Sequence, residues 1–190
     1  VEALGVPKEK IALVGNGIDS DKFQPRDRGE ARRRCKLAEG EGLAQPTIVY
    51  VGNFQPAHST ETHLARTLED DLGWRVVRLQ ENAVTTDVIL ERCLTERPAL
   101  FLFTRTWGLR GDGNRLMRDL AAAGIPTASY HLDLYWGISR EAGILGDPFW
   151  GTRYVFTADG GSDEKFLHAG INHKWIRPGV FRQECYLAEP

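Results

Sequence analysis

The sequence has few cysteines and no long apolar run, and these absences exclude several classes of protein. Its three cysteines, Cys35, Cys93 and Cys185, are far apart and form no C-x-x-C or Cys/His cluster. Neither a disulfide framework nor a structural zinc site is therefore indicated, and we expect a cytoplasmic protein in a reducing environment. The longest purely apolar run, 99–103, is far too short to cross a bilayer, so no membrane span is expected.

The sequence also lacks an excess of charge and the motifs that hold nucleotide phosphates. The formal net charge is -2, which gives no global positive field that would favour nucleic acid. No G-x-G-x-x-G, G-x-x-x-x-G-K-[ST] or G-x-S-x-G motif occurs, which argues against a dinucleotide oxidoreductase, a P-loop NTPase and an α/β-hydrolase. The composition, with 42% hydrophobic and 26% charged residues, is that of an ordinary globular protein.

What the sequence does contain is a regular alternation of strand and helix patterns after Pro46. The stretch 47–66 sets the pattern, because an apolar β-run breaks at Gly52 and the chain enters a helix at Ser59. Strands are predicted at 47–51, 74–79, 98–103, 125–130, 152–157 and 173–176, and helices at 60–72, 85–96, 114–123 and 163–169. This alternation predicts an α/β fold: a Rossmann-like parallel sheet with helices on both faces.

Two segments do not follow this pattern. Residues 1–45 are predicted to form a leader with a short strand at 11–14, a basic helix at 29–38 and a linker, so the domain proper is 46–190. The segment 134–151 is predicted to be a long loop, which in a compact domain is more often functional than not. Cys93 is expected in the core on the second helix.

Polar and aromatic residues follow several of the predicted strands. In an open parallel sheet the ligand lies outside the carboxyl ends of the strands. We therefore predict a substrate-binding site made of Asn53, Gln55, Arg105, Trp107, Tyr135, Trp136, Asp159, Gly160 and Gly161. Loops are polar for other reasons too, and that alone explains about half of these residues.

Three residues are candidates for catalysis. His58 lies just before a predicted helix and is either a general base or a loop histidine bound to the backbone. His131 and Asp133 share a face at a strand end, where they form a base with its orienting carboxylate, bind substrate hydroxyls, or bind a metal. No third ligand has suitable spacing, so no metal is expected. His168 and His173 are predicted at the surface or at helix ends.

The segment from Asp159 to Ser162 leads from a strand into a short helix. Its backbone amides would hold a phosphate or a sugar hydroxyl. The other interpretation is a tight turn in which Ser162 caps the helix. The residue pattern leaves both open.

Two stretches of the chain carry sequence patterns of known enzymes. LGVPKEKIALVGNGIDSDKFQP, residues 4–25, contains the pattern LGVP-x-x-K-I, NG-[VI]-D and F-x-P, and it resembles the segment near the end of the first domain in family-4 GT-B glycosyltransferases. Residues 46–190, from YVGNFQPAHSTETHLARTLEDDLG and WRVVRLQE through YVFTADGG and INHKWIRPGV, resemble the N-terminal domain of CgeB-like or phage-type glycosyltransferases.

The resemblance implies one half of a GT-B fold, the half that holds the acceptor. Such enzymes transfer a sugar from a nucleotide-sugar donor to an acceptor hydroxyl, usually without a metal or cofactor, in a cleft that a second domain completes. It implies a base or an acceptor contact at His58, and it implies that the His131–Asp133 pair and the segment 159–161 lie in loops that face the cleft.

The chain departs from the family in two ways. Residues 46–190 carry no convincing E-x(7)-E motif, and a segment that normally ends one domain precedes one that normally begins another. We therefore expect a piece of a longer enzyme, a shuffled chain, or a protein that completes its cleft with a partner subunit. The alternative hypothesis is a non-catalytic Rossmann-like module that binds a sugar, a nucleotide or a protein partner.

Overall fold

A six-stranded parallel sheet forms the centre of the part of the chain that the structure describes. The computed structural model describes residues 45–176, so the predicted strand at 11–14, the basic helix at 29–38 and the family-4-like segment lie outside the described residues. The strands are β1 Thr47–Gly52, β2 Arg75–Gln80, β3 Leu100–Phe103, β4 Thr127–His131, β5 Tyr154–Thr157 and β6 His173–Trp175. The helices are α1 Thr60–Arg66, α2 Thr86–Glu96, α3 Gly113–Ala122 and α4 Asp163–His168. The predicted α/β, Rossmann-like arrangement is confirmed.

The order of the strands in the sheet is β2-β1-β3-β4-β5-β6, and every neighbouring pair is parallel. From β1 the chain first moves to one side, to β2, and then returns to build the rest of the sheet on the other side. The order therefore reverses between β1 and β3. In open α/β sheets the crevice outside the carboxyl ends of the strands at such a reversal is the usual place for a ligand.

The helices begin where the sequence places capping residues. Ser59, Thr85 and Asp112 precede α1, α2 and α3, and each side chain accepts a hydrogen bond from a backbone N–H of the first turn. Gly124, one residue after the α3 C-cap, has a φ of 71°, a conformation that glycine adopts without steric cost. These local signals explain why the predicted elements agree with the structure to within a few residues.

Two predicted elements differ in detail from the structure. The first helix is α-helical only as far as Arg66 and continues as a π-helical turn at Thr67–Asp71. The segment 134–151 is not an open loop, because it contains 3₁₀ turns at Glu141–Gly146 and Pro148–Gly151. Its aromatic side chains Tyr135, Phe149 and Trp150 pack in the hydrophobic cluster on the sheet, and this packing holds the segment against the sheet.

Each face of the sheet has its own hydrophobic cluster. On one face α2, α3, α4 and the segment 134–151 pack around Phe101, Phe103 and Phe149. On the other face α1 packs against Ile48 and Tyr50 of β1 and their neighbours. Helices therefore cover both faces, as predicted. No helix between residues 45 and 176 combines the length and apolarity needed to cross a membrane.

Cys93 lies in the first cluster, as the sequence predicts. Its side chain is fully buried on α2. Burial raises the pKa of the thiol to about 12, since the thiolate would lose its hydration. The thiol is therefore a small core group with little reactivity.

The prediction that His173 lies at the surface is wrong. Its ring is buried and stacks on Phe166 of α4 with the ring centroids 4.0 Å apart. One ring nitrogen lies 2.8 Å from the Thr157 hydroxyl and the other lies 2.8 Å from an Asp163 carboxylate oxygen. Alternation along the edge strand β6 turns residue 173 toward the face that α4 covers. With its ring enclosed in this way, His173 serves the packing of α4 on the sheet.

Candidate functional site

Two adjoining cavities open at the carboxyl ends of β1, β3 and β4, where the strand order reverses. Their volumes are about 270 Å³ and about 190 Å³. We call them together the cleft. Arg105, Thr106, His131 and Asp133 line both cavities. The larger one is also lined by Tyr135, Arg140, Gly143, Asp147 and Trp150, and the smaller one by Thr60, Glu61, Thr104, Tyr130 and Leu132.

A buried carboxylate fixes the loop that follows β3. Glu81, just after β2, is 0% exposed. Its oxygens accept hydrogen bonds from the backbone N–H groups of Thr106 at 2.9 Å, Trp107 at 2.9 Å and Gly108 at 2.7 Å. Three successive amides that converge on one anion form a rigid turn. Glu81 therefore sets the backbone of the loop that carries Arg105 and Trp107.

Trp107 presents its indole ring to solvent from this fixed backbone. The residue is 51% exposed, although a tryptophan usually buries most of its surface. Because Glu81 holds the Trp107 amide, an approaching ligand would meet a ring whose attachment point is already ordered. A flat apolar face of this kind is suited to stack on a ring-shaped ligand.

The arginines of the cleft are paired with carboxylates. The Arg105 guanidinium lies 2.9 Å from an Asp147 carboxylate oxygen, and Arg140 forms an ion pair with Asp133. Glu61 is a third carboxylate in the lining. Two guanidinium groups and three carboxylates therefore line the cleft, which leaves an excess of one negative charge. This arrangement favours a neutral polar ligand over a phosphate.

His131 lies next to Asp133, but one of its ring nitrogens is engaged by a hydrogen bond from the protein backbone. Its Nδ1 accepts the Asp133 backbone N–H at 3.0 Å and lies 3.5 Å from the Asp133 carboxylate. Burial lowers the pKa of His131, with a smaller opposing effect from Asp133. Burial therefore favours the neutral imidazole over the charged one.

The lowered pKa of His131 predicts a dependence of stability on pH. Above pH 6.5, the ordinary value for histidine, the ring is neutral in both the folded and the unfolded chain. As the pH falls below 6.5 the unfolded chain takes up a proton that the folded chain resists, so stability is lost toward the lower folded-state pKa. We expect the unfolding free energy, measured by urea titration between pH 7.5 and 5, to fall less steeply in His131→Gln than in the wild type. His58→Gln, at an exposed position, is the control, and equal slopes in all three proteins would contradict the assignment.

The predicted residues after β1 lie in the loop between β1 and α1. Asn53 is partly buried and its side-chain oxygen is 3.4 Å from both the Gln55 backbone N–H and the Gln80 side-chain nitrogen. Gln55 and His58 are exposed in the same loop. The Ser59 hydroxyl donates to the Asn53 carbonyl at 2.7 Å, which ties the end of the loop to its beginning.

Two other predicted residues, Tyr135 and Trp136, belong to the hydrophobic cluster formed around Phe149. Tyr135 borders the larger cavity, but its ring packs against Phe149 and Trp150, and burial raises the pKa of its hydroxyl. Trp136 packs on Phe166. These contacts leave less of either ring for a sugar than the sequence pattern suggests.

The segment after β5 does not line the cleft but holds Tyr135, which does. The Asp159 carboxylate is buried and accepts the backbone N–H of Tyr135 at 2.8 Å. Gly160 packs close to the Trp175 indole, and Gly161 has a φ of +78°. Ser162 occupies the N-cap position of α4 without a side-chain hydrogen bond. None of these residues is among those that line the two cavities.

Sequence reasoning missed Glu61, Glu81, Arg140 and Asp147. Glu61 lies in the first turn of a helix, where glutamate is usual for the helix dipole and would ordinarily face solvent. Glu81 follows an edge strand and resembles any polar loop residue. Their roles depend on which strands are neighbours, and no local pattern gives that order. Within residues 45–176, no three His, Cys, Asp or Glu side chains are grouped so that they would hold a metal ion.

Comparison with known proteins finds a similarity in sequence over part of the chain and more distant similarities in structure. No family model matches the chain. Over 87 residues it is 36% identical to the D-inositol 3-phosphate glycosyltransferase of Geodermatophilus obscurus. Part of the chain is thus similar to a glycosyltransferase. The match covers 44% of this chain and 18% of that protein, so the chain spans less than a fifth of its relative.

The solved structures are more remote. A cobalamin-binding protein from Desulfitobacterium hafniense has 11% identity and a TM-score of 0.37, covering 70% of this chain and 53% of its own. A LacI family transcriptional regulator from Brachyspira murdochii has 14% identity and a TM-score of 0.41, covering 67% of this chain and 40% of its own. Similarities this distant support no conclusion about function.

Proposed function

We propose that residues 46–190 are the acceptor-side half of a GT-B glycosyltransferase. A second domain or a partner subunit would complete the cleft and bring a nucleotide-sugar donor, which serves as a substrate and not as a cofactor. The observation that carries this proposal is the 36% identity with a D-inositol 3-phosphate glycosyltransferase over 87 residues. The α/β fold agrees with it, because GT-B enzymes are built from Rossmann-like halves.

The cleft has the features that an acceptor site needs. It lies at the reversal of the strand order, and its lining combines threonine hydroxyls, carboxylates and arginines that would hydrogen-bond a polyhydroxylated molecule. Trp107 does not line either cavity, but it follows Thr106 of the lining in sequence and its ring is exposed. Among residues 45–176, nothing in the lining resembles the row of free amides or cations that a pyrophosphate requires.

In the proposed reaction an acceptor hydroxyl attacks the anomeric carbon of the donor sugar and the nucleotide leaves. The hydroxyl proton must pass to a base as the new glycosidic bond forms. We assign this role to His58, because its ring is exposed in the loop after β1. The His131–Asp133 pair would instead shape the cleft, since the imidazole is tied to the backbone and the carboxylate to Arg140.

Titration of the chain with donor and acceptor compounds separately tests the acceptor-side assignment. We expect polyols such as myo-inositol to shift the backbone NMR signals of Thr104, Thr106 and Trp107, and UDP, GDP and their sugar conjugates to shift them little. Trp107→Ala should weaken polyol binding roughly tenfold, the loss expected for one stacking contact together with the surface that it orders.

Leu167→Ala is the matched control for the loss of an exposed apolar side chain, because Leu167 is 72% exposed on α4. It should bind polyols as the wild type does. Tight binding of a nucleotide sugar by this chain alone would exclude the acceptor side. If neither polyols nor nucleotide sugars shifted these signals, the glycosyltransferase proposal would be overturned in favour of a non-catalytic Rossmann-like module that binds a protein partner.

A further inference from the structure

We infer that Glu61 binds an uncharged polyol in the cleft through its free carboxylate oxygen, and that the site discriminates against phosphorylated acceptors. This inference rests on the proposed function for the kind of ligand, but Glu61 itself follows from the geometry. It is the carboxylate at the point where the strand order reverses, on the first turn of α1.

The two oxygens of Glu61 have different surroundings. Its Oε1 accepts hydrogen bonds from the Asn53 backbone N–H at 3.2 Å and from the Thr106 hydroxyl at 3.2 Å. Among residues 45–176, no hydrogen bond reaches its Oε2. The side chain is only 5% exposed, yet it lines the smaller cavity. A carboxylate oxygen without a protein donor, in a residue that lines a cavity, is open to a donor from a ligand.

The backbone leaves room for this side chain. A Cβ atom at Gly52, the last residue of β1, would lie 2.7 Å from Cγ of Glu61. Only glycine at this position lets the carboxylate lie across the end of β1 and reach the loop after β3. The close approach to Gly52 and the hydrogen bonds from Asn53 and Thr106 thus fix the carboxylate before any ligand arrives.

The charges around Glu61 define the class of ligand. Both arginines of the cleft already have a carboxylate partner, so no cation in the described lining is left for a phosphate. A phosphate near Glu61 would add repulsion between like charges in a partly buried site. A hydroxyl would donate a charge-assisted hydrogen bond to Oε2, and a second hydroxyl of the ligand would donate to the Thr106 oxygen, whose own proton is given to Oε1.

The experiment is an NMR titration of the wild type and Glu61→Gln with two probes, myo-inositol and D-inositol 3-phosphate. The wild type should bind myo-inositol at least tenfold more tightly than its phosphate. Glu61→Gln should weaken myo-inositol about tenfold, the contribution of one hydrogen bond to a charged group, and should weaken the phosphate little or not at all. A purely structural role for Glu61 would weaken both ligands equally.

Two further variants guard against loss of the fold. Glu91→Gln, the same change at an exposed position on α2, should bind both probes as the wild type does. Gly52→Ala leaves the charge in place but displaces the side chain, so it should reproduce the loss of myo-inositol binding. The NMR spectrum of each variant without ligand shows whether it is folded.

The outcomes separate this inference from the proposed function. Equal affinity of wild type and Glu61→Gln for myo-inositol, or tighter binding of the phosphate by the wild type, overturns the inference and leaves an acceptor domain possible. If Glu61→Gln loses affinity for myo-inositol but not for its phosphate, the inference is supported. If, in addition, no longer form of the protein transfers sugar, the glycosyltransferase proposal is overturned. Absence of binding by the wild type overturns both.

Discussion

Replacing Glu81 by alanine should lower the free energy of unfolding by about 3–5 kcal/mol, the range seen when one partner of a buried charged network is removed. The carboxylate is fully buried and accepts hydrogen bonds from three successive backbone amides. Alanine would leave these N–H groups without an acceptor and would open a space behind the loop. Urea titration followed by circular dichroism measures the change.

Glu81→Gln separates the charge from the shape of the side chain. The amide keeps one oxygen as an acceptor, but its NH₂ group would face backbone N–H groups, so we expect most of the loss to remain. Glu91→Ala, at an exposed position on α2, should change stability by no more than about 0.5 kcal/mol. If Glu81→Ala were as stable as Glu91→Ala, the loop after β3 would not depend on this carboxylate.

His58→Ala should reduce turnover by about 10²–10⁴-fold in a form of the protein that transfers sugar, the range that general-base catalysis contributes. The loop that carries His58 is held at its base, because the Pro56 carbonyl accepts the Ser59 backbone N–H at 3.1 Å and the Thr62 hydroxyl at 3.1 Å. The ring itself is exposed, and the alternative base, His131, is tied to the backbone.

The assay is initial rate against acceptor concentration at saturating donor. A base acts in the transition state, so kcat should fall while the acceptor concentration at half-maximal rate changes little. His168→Ala, at an exposed position on α4, is the matched control and should leave the rate unchanged. Full activity of His58→Ala would remove His58 as the base and return that role to the pair at the end of β4.

Most of the fold could be predicted from the sequence because its signals are local. Alternating strand and helix patterns gave the elements, and Ser59, Thr85 and Gly124 marked helix ends through their own side chain or backbone freedom. Misses arose where packing decided. The aromatic residues of 134–151 follow neither a helix nor a strand period, yet they pack in the hydrophobic cluster on one face of the sheet. His173 is buried because Phe166 of α4 packs on its ring.

The candidate site was predicted less well, for the same reason. The sequence pointed to the edge of the sheet at which the cleft opens, since loops that follow parallel strands meet there. It did not distinguish residues that line the cleft from residues that hold it: Asp159 supports Tyr135, whereas Arg105 lines both cavities. Whether a polar loop residue faces a ligand or the protein depends on partners far along the chain.

The sequence by itself determined that this chain forms a parallel α/β sheet with polar loops at one edge, because periodicity and capping act within a few residues. Only the tertiary structure decided that β1 lies between β2 and β3. That order places Glu61 and Thr106, 45 residues apart, within hydrogen-bonding distance, and it places Glu81 beneath the loop that carries Trp107. Strand order follows from how the helices fill the two faces, and this is a property of the whole chain.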